Sequence, residues 1–185
     1  NYSWVRRMTD DILYPTHGYI INFQIGGGTE LLLSEQDFLR LYGRGIWFYP
    51  LWQNGQLILR TELGTVLADS RRGIPSDFLF RTGGDQSIRG YTYQSLGVQE
   101  GDAVVGGRRL AVASAEYVQW LWPKWGAALF YDAGDAGDSW NDIDFNRGYG
   151  IGARWRSPVG PLNLDVAYSP DREDFRLHFS VSTVF

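Results

Sequence analysis

The stretch FRLHFSVSTVF, residues 175–185, alternates without interruption. Phe175, Leu177, Phe179, Val181, Thr183 and Phe185 fall on one face, and Arg176, His178, Ser180, Ser182 and Val184 on the other. Successive side chains of a β-strand point to opposite faces, so a strict period of two reads as a strand with one apolar and one polar face. The same period returns further back along the chain. Leu162, Leu164, Val166 and Tyr168 alternate with Asn163, Asp165 and Ala167; Tyr149, Ile151, Ala153 and Trp155 with Gly150, Gly152, Arg154 and Arg156. Trp125, Ala127, Leu129 and Tyr131 alternate with Gly126, Ala128, Phe130 and Asp132, and 57–67 repeats the theme. Less regular strands are predicted over 19–25, 38–49 and 109–121, the faces of the last being mixed, and a weaker one over 2–8. Eight to nine strands without long helical periodicity describe an all-β, antiparallel chain.

The connections fall into two kinds. Short turns are expected at 15–18, 51–56, 122–125 and 157–161, and longer, more acidic loops at 27–36, about 69–107, 133–147 and 169–174. Short turns at one end and long loops at the other characterise an outer-membrane barrel, whose strands carry the apolar face outward. A soluble barrel or sandwich turns the same pattern inside out, and periodicity alone does not choose between them. The loop asymmetry, the aromatics near strand ends (Trp47, Tyr49, Trp52, Trp120, Trp122, Trp125, Trp155, Tyr168) and the terminal Phe185 favour the membrane. A soluble barrel binding a small apolar ligand is the alternative from another class.

Composition excludes several functions. The net charge is −4 and no basic run stands out, which argues against nucleic acid as a partner. Cysteine is absent and only His17 and His178 are present, so disulfides, thiolate sites, zinc sites and histidine triads are not expected. The acidic stretch 132–144 lacks the EF-hand order of ligands, so neither a metal nor a cofactor is expected. His178 and Ser180 share a strand face too far apart for a hydrolase pair, and no enzymatic activity is expected. The chain opens on Asn1 and reads as part of a larger processed protein.

One segment resists the reading of a solvated loop. GGDQSIRGYTYQSLG, residues 83–97, carries Ile88, Arg89 and Tyr91 among glycines, where loop tips are usually small and polar. It resembles the loop motif of the BamA/TamA superfamily of outer-membrane assembly and translocation proteins. FYDAG, residues 130–134, resembles that family's wall motif. GIGARWRSPVGPLNLDVA (150–167) is similar to the penultimate strand pair of its TamA branch. YPTHGY (14–19) resembles a mid-barrel Pro-x-x-Gly turn, and the last strand resembles the family's C-terminal β-signal, here Phe175, Leu177, Phe179, Val181 and Phe185.

The resemblance implies that residues 1–185 form the C-terminal half, eight to nine strands, of a sixteen-stranded transmembrane barrel. The long extracellular loop 69–107 would fold back into the lumen. Gly83, Gly84, Ser87, Ile88, Arg89, Gly90 and Tyr91 would form its tip, facing Phe130, Asp132 and Gly134 on the wall. Arg89 would pair with Asp132 beside the Phe130 ring. The strand pattern itself makes Arg154 and Arg156 wall charges of the inward face, with Glu116, on the strand of mixed faces, as a candidate to join them. The implied setting is the bacterial outer membrane, with lipids, client outer-membrane proteins and a periplasm-spanning TamB-like protein as partners. A two-partner secretion pore is the alternative within the family. An isolated half-barrel has two open edges, which lipid does not tolerate. It is expected either to close and expel residues 83–97, or to pair edge to edge with a second copy and keep them.

Overall fold

The structure is a computed structural model and describes residues 1–29, 36–158 and 160–181. Phe185 of the terminal pattern lies outside the described residues. The strands are β1 (Tyr2–Thr9), β2 (Gly18–Gly28), β3 (Phe38–Leu51), β4 (Gly55–Leu67), β5 (Val98–Glu100), β6 (Ala103–Val105), β7 (Arg109–Trp120), β8 (Trp125–Gly137), β9 (Asn146–Ser157), β10 (Gly160–Ser169) and β11 (Asp174–Val181). Nine of them form one antiparallel sheet in the order β1-β2-β3-β4-β7-β8-β9-β10-β11, so each strand pairs with the next and only the β5–β6 hairpin interrupts the meander. The weak candidate over 2–8 is a full strand, in register with β2 from Tyr2 opposite Ile25 to Thr9 opposite Gly18.

The alternation assigns the faces as expected. Phe175, Leu177, Phe179 and Val181 point outward and are 45–70 % exposed, and Leu129, Ile151, Leu164 and Val166 beside them are exposed too. The inward face of the same strands carries Asp132, Arg154 and Asp165, all nearly buried. Apolar outside and ionic inside is the reverse of a soluble barrel, which removes the ligand-binding soluble fold from consideration. Aromatics mark two levels on the outer face. Trp125 stacks on Trp155 with centroids 5.4 Å apart, in line with Leu162 and Val181. Tyr149, Tyr168 and Phe175 form the other level, 5.7 and 4.7 Å apart in succession. Leu177 and Phe179 lie midway between the two.

Three expectations change. β8 runs on to Gly137, so much of the stretch placed in a loop at 133–147 is strand, and the connection shrinks to 138–145. The mixed faces of 109–121 have a cause: Leu110 and Val112 point inward and are buried, as is Ser114, with Glu116 in the same row. The inner wall is apolar at one end and charged further along, which breaks the simple pattern. Of the two expected outcomes, closing with expulsion of residues 83–97 is not seen: among the described residues the sheet is open, with β1 and β11 as its edges, and the 83–97 segment is seated against the inner face.

The excursion between β4 and β7 supplies the interior. Phe80 bridges to Gly107 and Thr82 to Leu96, so the segment narrows stepwise towards its tip. Ile74, Phe80, Ile88, Tyr91 and Leu96 from this excursion pack against Phe38, Val66, Leu110 and Val112 from the wall. Gly64 leaves the space that the Phe80 ring fills: a Cβ there would lie 2.5 Å from Cζ. Ile88 and Tyr91 are fully buried, which is why a loop carries them.

Candidate functional site: an arginine clamp inside the sheet

The loop tip is shaped locally before it meets the wall. Ser87 Oγ accepts from the Gly83 amide at 2.9 Å, and the Gly84 amide donates to Ile88 O at 3.1 Å. Gly90, at φ +95°, adopts a conformation costly for other residues and lets the chain pass Ser169. This turn aims Arg89 at the row of inward residues on β7, β8 and β10.

Arg89 uses all of its guanidinium. Nε donates to Asp132 Oδ2 at 2.7 Å and Nη2 to Asp132 Oδ1 at 3.0 Å, a bidentate pair. Nη1 donates to Glu116 Oε2 at 2.6 Å and to Asp165 Oδ2 at 3.2 Å. The guanidinium carbon sits 3.5 Å from the Phe130 ring centroid, adding cation–π attraction. The Arg89 backbone amide donates to Asp132 as well, at 3.1 Å, and Ser114 Oγ donates to it at 2.6 Å. Burial opposes the charge on Arg89, but the hydrogen bonds and charge of Asp132, with Glu116 and Asp165 beside it, outweigh this and raise its pKa.

The clamp belongs to a larger balanced set. Arg154 donates to Glu116 at 2.8 Å and to Asp165 at 2.6 Å, tying β7, β9 and β10 together behind Arg89. Arg60 donates to Ser87 O at 2.7 Å, and Arg44 lies 3.5 Å from Glu62. Four guanidiniums thus face four carboxylates across the inner surface, so each of these buried carboxylates meets a cation where desolvation is expensive. His178 Nε2 accepts from the Gly90 amide at 2.9 Å, and Tyr91 Oη donates to Asp171 at 2.9 Å.

The structure therefore brings together Arg89, Asp132 and Phe130, with Glu116 and Arg154 beside them. Ile88 and Tyr91 anchor the tip through burial. Gly134 plays a different part: a Cβ there would lie 2.5 Å from Ala111 O, so the β7–β8 pair needs it. Arg156 is not in the network; it stacks on Trp120 at 3.8 Å. Asp165 and Asp171 were not singled out from sequence, although the parity of Leu164 and Val166 already turned Asp165 inward.

The sequence profile of the Omp85 superfamily domain matches residues 1–185, the whole chain. The chain belongs to the Omp85 superfamily. Among its relatives, the outer membrane protein assembly factor BamA of Nitratidesulfovibrio vulgaris is 31 % identical over 98 % of this chain and 25 % of its own length. BamA of Neisseria meningitidis serogroup B is 29 % identical, over 99 % of this chain and 28 % of its own. The crystal structure of BamA from Haemophilus ducreyi lacking POTRA domains 1–3 superposes with a TM-score of 0.73 at 19 % identity, covering 97 % of this chain and 40 % of that one. The chain thus spans about a quarter of the length of the curated relatives it matches.

Two results are expected from this Omp85 site. Gly148 on β9 lies under the clamp, and a Cβ there would be 1.8 Å from Arg89 O. The obstacle is backbone, so Gly148→Ala should lift the tip from the wall and destabilise it by about 1–3 kcal/mol, as overpacking does. Hydrogen exchange at 87–91 should rise in the variant; exchange equal to wild type would show that the close approach is dispensable.

The second concerns acid. Asp171, in the turn between β10 and β11, accepts from the Arg147 amide and from Tyr91 Oη, and these bonds hold its pKa below 3.8. A lowered folded pKa contributes stability above the unfolded value that is lost as pH falls through the folded one. The Tyr91 tether should therefore hold at pH 5 and weaken below about pH 4. Pepsin cleavage at 91–93 should accelerate in that window for wild type. Asp171→Asn, which keeps only a neutral acceptor, should be cleaved more readily at pH 5, and identical profiles for the two proteins would remove Asp171 from the tether.

Proposed function

We propose that the chain is the C-terminal half of an outer-membrane barrel that helps to insert or translocate other outer-membrane β-proteins. The observation carrying this reading is the arginine clamp: a loop tip fixed by Arg89 to Asp132 inside a wall with an apolar outer face, on a chain matched throughout by the Omp85 domain. The protein sits in the outer membrane with Phe175, Leu177 and Phe179 in lipid. Arg89 and Asp132 brace the wall, while client strands enter at a weak barrel seam by edge pairing. Both named relatives are assembly factors, and the work assigned to this protein is guiding and binding, with no covalent step.

Outer-membrane lipids and client outer-membrane proteins are the partners. A TamB-like protein would be engaged through other parts of a longer polypeptide, and edge pairing with a second copy is a further way to satisfy β1 and β11. Within the family, the 150–167 strand pair supports a TamA-type role. Depleting the full-length protein and quantifying the outer-membrane proteome separates the readings. Broad loss of barrel proteins fits a general assembly factor, loss confined to autotransporters fits the TamA type, and loss of one secreted polypeptide fits a two-partner transporter. An unchanged proteome would overturn the assignment.

A further inference from the structure

Beneath the clamp the inner surface lines a partly open cavity of about 280 Å³. Its two sides differ in chemistry. Ile20, Ile46, Phe48, Ile58 and Val118, from β2, β3, β4 and β7, form an apolar shelf, with Ile20, Phe48 and Val118 almost fully buried. The side formed by β7 and β9 carries Trp120, Arg154 and Arg156. Trp120 and Arg154 flank Gly126 in register across β7, β8 and β9, so a residue without a side chain lies between the two donors.

Those donors are underused. Arg154 is 5 % exposed and its Nη2 has no hydrogen-bond partner among the described residues; the same holds for Arg156 Nε and Trp120 Nε1. Arg156 has no carboxylate partner among the described residues and rests on the Trp120 ring. Of the five arginines that line the cavity, Arg44, Arg60, Arg89 and Arg154 meet Glu62, Asp132, Glu116 and Asp165, which leaves Arg156 as the cation without a carboxylate among the described residues. The turn between β1 and β2 closes this region from below. Tyr14 Oη donates to Ser157 O, and Asp10 organises the turn by accepting from the Thr16 and His17 amides at 2.8 and 3.0 Å.

Buried donors without acceptors cost free energy, and water would satisfy them. Water would also wet the apolar shelf opposite, which gains nothing from it. A molecule with an acidic head and an apolar tail satisfies both sides. We propose that this cavity is a binding site for an anionic amphiphile with a single acyl chain, its carboxylate on Arg154, Arg156 and Trp120 and its chain on the Ile46–Phe48–Ile58 shelf.

The test uses the full-length protein in phosphatidylcholine nanodiscs, with dodecanoate as the probe and native mass spectrometry as the readout. One dodecanoate should be retained per chain, whereas dodecyltrimethylammonium, with the same tail and opposite charge, should not be. Hexanoate should bind far more weakly, because it leaves the shelf bare. Arg156→Gln should weaken dodecanoate binding about tenfold, the scale of one charge-assisted hydrogen bond. Trp120→Phe keeps a ring beneath Arg156 but removes the indole donor, and should weaken binding independently. Equal retention of the cationic amphiphile, or unchanged binding in both variants, would overturn the proposal. So would displacement of dodecanoate by lower concentrations of an apolar peptide with a free C-terminal carboxylate, which would reassign the site to polypeptide.

Discussion

Replacing Arg89 with alanine is expected to release the loop tip from the wall and destabilise the barrel by about 3–5 kcal/mol, the cost of leaving buried charges without their partner. Asp132 is fully buried and its two oxygens accept from Nε and Nη2 of Arg89, while Glu116 and Asp165 share Nη1. Removing one side chain therefore takes a guanidinium from three carboxylates. Arg154 still neutralises part of Glu116 and Asp165, so the damage should centre on Asp132. Asp132→Ala should resemble Arg89→Ala, and the double variant should be milder than the sum of the two, because the pair fails as a unit. Arg89→Lys should rescue little: an ammonium is a point charge and cannot present the planar fork that Asp132 receives. Limited proteolysis of residues 83–97 in the full-length protein provides the measurement. Protection equal to wild type in both single variants would mean that the apolar anchors Ile88 and Tyr91 hold the loop by themselves.

Phe179→Arg should cost about 2–4 kcal/mol, whereas Ser180→Arg should be tolerated far better. The two residues are neighbours on β11 and differ only in face. Phe179 points outward and is 64 % exposed, while Ser180 faces the lumen and lines the cavity. Phe179 also lies between the Trp125–Trp155 level and the Tyr149–Tyr168–Phe175 level, so an arginine there meets the apolar band away from either interface. Urea-induced unfolding of the two variants in lipid vesicles measures the difference. Equal midpoints would contradict the face assigned to this strand.

Most of the wall was legible in the sequence because parity is a local property. A period of two needs no tertiary information: it put Phe130 and Asp132 on the polar face and Phe179 on an apolar one before any contact was known, and the loop asymmetry and strand-end aromatics turned the apolar faces outward. The 109–121 strand was not legible for the opposite reason. Its inner row runs from Leu110 and Val112 to Ser114 and Glu116 because the folded loop covers one end with apolar side chains and the other with a guanidinium. Residue type there reports what packs on the strand, and that partner is remote in the chain.

By itself, the sequence determined an all-β meander, the side each strand presents outward, and a loop whose Ile88, Arg89 and Tyr91 suit burial better than solvent. The family resemblance added Asp132 as the partner of Arg89. Only the tertiary structure decided that Glu116 and Asp165 share Arg89, that Arg154 locks both from behind, and that His178 and Asp171 hold the flanking residues. It also seats the loop against the inner face of the nine-stranded sheet that the described residues form. The physical reason is range. Strand periodicity follows from the geometry of adjacent peptide units, whereas the charge network depends on strand register and curvature, which bring residues up to 76 positions apart to hydrogen-bonding distance around Arg89.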